Sequence, residues 1–322
     1  MAPTEADVDA LFAATQPRAD EVGARYRRVL PLRVASGAFG CLPTVAVAAA
    51  MLSGWSARFD ETHFHAAAGG LVAAGLLVGG LLFRRFAYAD APIHELADRE
   101  LVQPLAERLV EGALVSHPSL APGDWQAARL LPDTHGSPWV VTRVSGRIAG
   151  RPAVLDEGEI LFAAAANDSD ASWKFDGWRV HVELPFTVGG HLRVRTPLPE
   201  SHVRPERRDA FTPAPELAAR LGGARTVEIA PPGRTYAAGT RPGDVVPEAL
   251  LTDEVIARLA SDDGLQLAAA GSDLWILVRR EHDAFKGSYR SSFDRDVWRA
   301  AARSMDLVER VTRAVVAAGG HR

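Results

Sequence analysis

Two stretches without a charged residue constrain this chain more than any other feature. One runs from Val34 to Trp55 and the other from Ala66 to Phe83. As α-helices they reach roughly 33 and 27 Å, against a bilayer hydrocarbon core of about 30 Å. A helix with no polar face cannot lie at a water boundary, so both must be covered by protein or by lipid. The spacer Ser56 to His65 is short and polar, with Arg58, Asp60 and Glu61. This pattern predicts a transmembrane helical hairpin: residues 34–55 cross, 56–65 form an extracytoplasmic loop, and 66–83 cross back. Trp55, Phe59 and Phe64 near one end, and Tyr88 near the other, suit the membrane–water interface. Pro43 removes one hydrogen bond from the first helix, which membrane helices tolerate. A buried helix pair in a soluble core is the competing reading, and it draws on the Ala and Gly content of both runs. The length of each run without a polar face weighs against it. A cleaved signal peptide fits poorly, because residues 1–33 are rich in Asp, Glu and Arg and are too long for an n-region.

Whatever the hairpin is, it is local. The 322 residues are 47% hydrophobic and 24% charged, an ordinary globular balance. The mean hydropathy of -0.03 is not that of a mostly membrane-embedded chain. A formal charge of -4 argues against a general nucleic-acid binder. Cys41 is the single cysteine, so no disulfide forms within the chain.

Arginine placement sets the expected orientation. Arg18, Arg25, Arg27, Arg28 and Arg33 precede the first run, Arg84 and Arg85 follow the second, and only Arg58 lies between. Positive residues stay on the cytoplasmic side, which places 1–33 and 84–322 there in a multi-pass cell-membrane protein. Arg33, Arg84 and Arg85 are the membrane-flanking residues, drawn to anionic headgroups. Gly75 and Gly79 form a G-x-x-x-G that permits close helix packing. Packing against the chain's own first helix is the plainer reading, and homodimerisation is the other.

The remainder reads as an α+β domain with a mixed, mainly antiparallel sheet and a C-terminal helix. Residues 1–29 suggest an amphipathic helix divided at Pro17, and Pro92 to about Leu114 a second. Pro118 to Pro138 reads as loop and short helix. Strands are predicted over Trp139–Ile148, Ala153–Ala165, Trp173–Pro185, Gly190–Thr196 and Arg225–Ile229, with a hairpin tip at Asn167 to Asp170. Alternation is clearest in Trp178 to Leu184. Thr252 is a good N-cap for a short helix. Leu265–Ala270 and Leu274–Val278 suggest a hairpin around Gly271-Ser272-Asp273, and Arg295 to Ala317 a closing amphipathic helix.

This order of parts resembles a bacterial membrane-protein family catalogued as domain of unknown function 3137. The matching stretches are Phe175-Asp176-Gly177-Trp178-Arg179-Val180 running to Leu184-Pro185-Phe186 with Gly189-Gly190, then Leu250-Leu251-Thr252, then Leu274 to Val278 with Phe285 and Asp306-Leu307-Val308. They are short and apolar, and they span most of residues 90–318. The chain departs from the family in carrying more Ala, Arg and Pro and less Lys. The resemblance implies a membrane-anchored cytoplasmic domain, with no activity and no catalytic residues to carry over.

No common nucleotide-binding, hydrolase or zinc-protease motif is present. His181 and Glu183 share one face of a strand and could do acid–base work or bind a metal, although sheet alternation already explains them. Asp60, Glu61, His63 and His65 gather in the hairpin loop, a solvated tip by the plainer reading and a metal or proton sensor by the other. Asp156-Glu157-Gly158-Glu159 suggests an acidic turn. Arg204, Arg207 and Arg208 suit an exposed loop, and Trp139, Trp173, Trp178 and Trp275 suit the core. No cofactor or metal follows from any of these. The expected partners are the lipid bilayer and a second copy or another membrane protein. The leading expectation is a membrane-tethered scaffold, sensor or regulatory domain. The alternatives are a membrane-bound enzyme with an unrecognised site, and a subunit of a transport assembly.

Overall fold

The computed structural model describes residues 3–52, 61–118, 130, 136–162, 173–196, 211–222, 225–230, 243–262, 264–279, 284–285 and 294–320. Contacts divide the chain into two compact units: Thr15–Leu101, and Met1–Ala14 together with Val102–Arg322.

Helix α1 (Glu5–Leu52) opens with a capping box. The Thr4 amide donates to Asp7 Oδ2 at 2.9 Å, and the Asp7 amide donates back to Thr4 Oγ1 at 3.2 Å. Pro17, Pro31 and Pro43 all lie inside α1, so Pro17 does not divide it as the sequence suggested. A proline removes one backbone bond, and the remaining turns of a helix this long absorb the loss. Helix α2 (Glu61–Ala97) likewise continues through Pro92, where a new helix was expected to start. It widens into a π-turn at Asp98–Val102 and resumes as α3 (Gln103–Leu109). Pro104 accounts for the widening, since its ring would clash with the Glu100 carbonyl in regular α geometry.

The larger unit is α+β, built, among the described residues, on a seven-stranded, antiparallel sheet. The strands are β1 (Glu111–Ser116), β2 (Gly136–Ile148), β3 (Arg151–Phe162), β4 (Trp173–Arg195), β5 (Thr212–Pro213), β6 (Thr226–Ala230) and β7 (Leu265–Arg279). Helices α4 (Pro215–Arg220), α5 (Asp253–Ala260) and α6 (Arg295–Gly320) complete it, with a 3-10 turn at Pro247–Leu250. Thr252 caps α5 as predicted, accepting from the Val255 amide.

Several expectations need correction. Strand β1 replaces the last helical turns predicted up to Leu114; α3 stops at Leu109, and β1 pairs with β2. Gly136 to Pro138, the end of the stretch read as loop and short helix, belongs to β2. The two strands predicted over 173–185 and 190–196 are one, β4. The hairpin predicted around Gly271 is a single strand, β7, both halves of which pair with β4. Register slips twice along this pairing, between Glu183 and Val188 and between Val188 and His191. Extra β4 residues bulge there. The excursion is held by Val245, whose amide donates to the Thr187 carbonyl (2.8 Å) and whose carbonyl accepts from the Gly189 amide (2.9 Å). Opposite it, Gly271 takes φ 56°, a left-handed conformation that glycine adopts without strain.

Val144, Leu155, Val180 and Ile276 lie side by side across β2, β3, β4 and β7 and line the core. Helix α6 covers them with Trp298, Ala301, Met305, Val308, Val311 and Val315. The first turns of α1 belong to the same core. Val8 is fully buried, and Phe12 meets Trp298 edge-on at 5.6 Å. Asp9 pairs with Arg299 (2.5 Å), Glu5 with Arg303 (2.9 Å) and Asp7 with Arg108 (2.6 Å). The beginning of residues 1–33 is thus a structural part of the α+β unit rather than a separate segment.

Candidate functional site

The smaller unit carries the apolar helices. The most apolar eighteen-residue stretches of its two long helices have mean hydropathies of 1.7 and 2.1, with 6% and 11% of each buried. A helix forming the core of a soluble protein would be mostly buried. Here Val34, Phe39, Leu42, Val45, Leu71, Leu76, Leu77, Leu81 and Phe83 are exposed. By length and composition both helices suffice to cross a membrane.

The two helices meet through Gly75 and Gly79. A Cβ on Gly75 would run into Pro43 Cγ and come within 2.7 Å of the Phe39 carbonyl oxygen. On Gly79 it would lie 2.9 Å from both the Ser36 carbonyl oxygen and the Gly40 amide nitrogen. The G-x-x-x-G therefore packs on the chain's own first helix, and its glycines serve close backbone approach. Beside this seam lies an apolar groove of about 480 Å³, lined by Phe39, Leu42, Pro43, Ala46, Leu71 and Val78 among others.

Arg33, Arg84 and Arg85 are all exposed where each helix leaves its uncharged run. Arg33 donates to the Tyr26 hydroxyl at 3.3 Å. The Arg84 guanidinium donates to the Tyr88 hydroxyl at 3.5 Å and lies 5.6 Å from that ring. Of the loop expected at 56–65, Ser56 to Asp60 lie outside the described residues, and Glu61 onward is already helical.

In the larger unit the polar residues gather on the sheet. His181 Nε2 lies 2.7 Å from Asp273 Oδ1, and its ring stacks on Trp275 at 5.6 Å. Glu183, directly opposite Asp273 in register, is exposed. An imidazole oriented by a carboxylate is a part of acid–base machinery. The turn composition around Asp273 hides it in the sequence, which offers His181 only Glu183 as a partner.

Asp156 and Glu157 do not form a turn. They sit mid-strand in β3, buried on opposite faces. Asp156 binds Arg143 Nε at 2.6 Å and Arg179 Nη2 at 2.5 Å. Glu157 accepts from Trp178 Nε1 (2.9 Å) and from the amides of Ala284 (2.7 Å) and Phe285 (2.8 Å). Trp178 stacks on Phe285, and both are core residues as expected of the tryptophan. On the C-terminal half of β4, Arg193 and Arg195 share Glu228. Burial pushes the Glu228 carboxyl up, but the hydrogen bond and charge of Arg193, joined by Arg195, outweigh it and hold it below its ordinary value. Arg204, Arg207, Arg208 and the side chains of Trp139 and Trp173 lie outside the described residues. A second cavity, about 380 Å³, opens between α3, the β2–β3 turn and α6. Its charged lining is balanced, Glu107, Glu111 and Glu309 against Arg108, Arg147 and Arg313, so it favours neither sign of ligand. Among the described residues, no three His, Cys, Asp or Glu side chains converge as a metal site.

Fold and site together define a class: an α+β unit carried by a chain with an outward-facing apolar helix pair. No family model matches the chain, and no match is found among the curated proteins or the solved structures.

Proposed function

We propose that this chain is a two-pass membrane protein in which residues 34–55 and 66–83 tether a cytoplasmic α+β unit that scaffolds, senses or regulates at the membrane. The supporting observation is the outward-facing apolar surface of the hairpin, with 6% and 11% of its spans buried. Exposed apolar patches of that extent call for a lipid or protein cover. The arginines at the uncharged runs' ends support the orientation, with residues 1–33 and 84–322 inside. On this reading the chain is a member of the domain of unknown function 3137 family. The regulatory role rests on the anchored architecture and on the stabilising partners found for the buried charged groups Asp156 and Glu157.

Cys41 provides the test. It is exposed on the first helix. In intact membranes a water-soluble maleimide should leave it unmodified and should label it once detergent or denaturant is added, while the chain resists alkaline carbonate extraction. Rapid labelling without detergent, or release by carbonate, would overturn the anchored reading.

One observation favours an enzyme instead, the His181–Asp273 pair. Reporter substrates for hydrolysis can be screened against the full-length protein, with His181→Ala and Asp273→Asn as controls. Turnover unaffected by both substitutions would remove this reading.

A further inference from the structure

We infer that the hairpin holds an anionic phospholipid, with an acyl chain in the groove beside the Gly75–Gly79 seam and the headgroup phosphate held by Arg28 and Arg85. The inference rests on the membrane reading above and adds a ligand of defined chemistry to it.

The groove is lined only by apolar residues, among them Phe39, Leu42 and Ala46 of α1 and Leu71, Gly75 and Val78 of α2. Helical periodicity carries both of its walls to an arginine. Val78 and Arg85 lie about two turns apart on one face of α2. Ala46 and Arg28 lie roughly five turns apart on one face of α1, with Leu42 and Phe39 on the same stripe. The helices run antiparallel, with Gly75 over Phe39 and Pro43 and Gly79 over Ser36 and Gly40. Continuing that register brings Arg85 to within about one helical turn of the level of Arg28. The apolar channel therefore ends in two cations at neighbouring depths.

Both guanidiniums are exposed and form no hydrogen bond or ion pair among the described residues. Arg27, next along α1, is likewise exposed, while Arg25 is engaged with Glu21, Arg33 with Tyr26 and Arg84 with Tyr88. Carboxylates are scarce here. Between Val22 and Leu52 of α1, and between Thr62 and Ala89 of α2, there is no Asp or Glu. The nearest on each side are committed, Glu21 to Arg25 and Asp90 to His94. Two arginines about two to three helical turns beyond the groove's last lining residues match a phosphodiester whose acyl chain lies in the groove. They offer a zwitterionic headgroup, with its own ammonium, a poorer fit.

Native mass spectrometry of the full-length protein, released from micelles holding equimolar phosphatidylglycerol and phosphatidylcholine of the same acyl chains, tests this. Retained phosphatidylglycerol should exceed phosphatidylcholine roughly thirtyfold, as two arginines near a charged headgroup would give. Arg28→Gln with Arg85→Gln should bring the two lipids to parity. Ala46→Trp, which fills the groove and leaves both arginines, should lower retention of either lipid. Equal retention by the parent protein, unchanged selectivity in the double variant, or a dimer whose second copy fills the groove would each overturn the inference. Flotation separates the levels of failure. A chain that floats with vesicles of both compositions but shows no preference refutes the lipid site alone, whereas one that floats with neither refutes the membrane reading beneath it.

Discussion

At the residue scale, the most demanding group is Glu157, at 1% exposure. A carboxylate so placed costs several kcal/mol to desolvate, and hydrogen bonds must offset that. Three come from Trp178 Nε1 and the amides of Ala284 and Phe285. Glu157→Ala strands all three donors and should destabilise the α+β unit by about 2–4 kcal/mol, with Glu157→Gln costing less. Chemical denaturation followed by tryptophan fluorescence measures this, and an alanine variant as stable as the parent contradicts it. The sequence hid this residue because an acidic run around a glycine carries a turn signal, while the amides that satisfy Glu157 lie up to 128 residues further on. Trp178, by contrast, was legible as core from alternation alone. Other carboxylates govern acid behaviour, Asp9 and Glu228 among them. Asp9 is lowered chiefly by the hydrogen bond from Arg299, which outweighs the opposing effect of burial, and the charges of Arg299 and Arg295 add to it. Glu228 is lowered by Arg193 and Arg195 in spite of burial. Carboxylates depressed in the folded state stabilise it fully above their unfolded pKa, and the contribution is lost as pH falls through the folded values. The denaturation midpoint should therefore hold near neutrality and fall below about pH 4, and Glu228→Gln should flatten part of that fall.

At the element scale, the hairpin seam and the long strands carry different lessons. Gly79→Val places side-chain atoms where a Cβ already meets backbone at 2.9 Å, so the helices must separate. The cost should be about 1–3 kcal/mol in detergent-solubilised protein. Gly80→Val, one position on, meets open space and should be close to neutral in the same melting assay. Equal effects at the two positions would remove the seam. The helices and the β2–β4 meander were readable in kind, though not in their bounds, because 3.6-residue and two-residue periods survive in the sequence. Strand β1 was not, since Glu111–Ser116 is short and follows directly on a helix. Strand β7 was misjudged for a clearer reason. Gly271-Ser272-Asp273 has the composition of a hairpin tip, and only the excursion of β4 opposite it lets one strand continue through.

At the scale of the whole molecule, Met1–Ala14 clusters with Val102–Arg322. Val8 and Phe12 fill core space, and Asp7, Asp9 and Glu5 pair with Arg108, Arg299 and Arg303. Deleting residues 4–14 removes two buried apolar side chains and should lower the stability of the α+β unit by several kcal/mol, on the order of 3–6. A peptide spanning those residues should restore part of the loss when added in trans, measured as a shift of the melting midpoint. A truncated protein that melts like the parent would show the docking to be dispensable.

That docking also imposes an order on synthesis. Asp9 leaves the ribosome 290 residues before Arg299, its partner. Until α6 emerges, Val8 and Phe12 have no Trp298 to cover them, while the hairpin is already long enough to enter a bilayer. Loop closure of this span is slow compared with helix formation. The leading turns of α1 thus lack their α6 partners until those residues have been made, and the core they share closes only then.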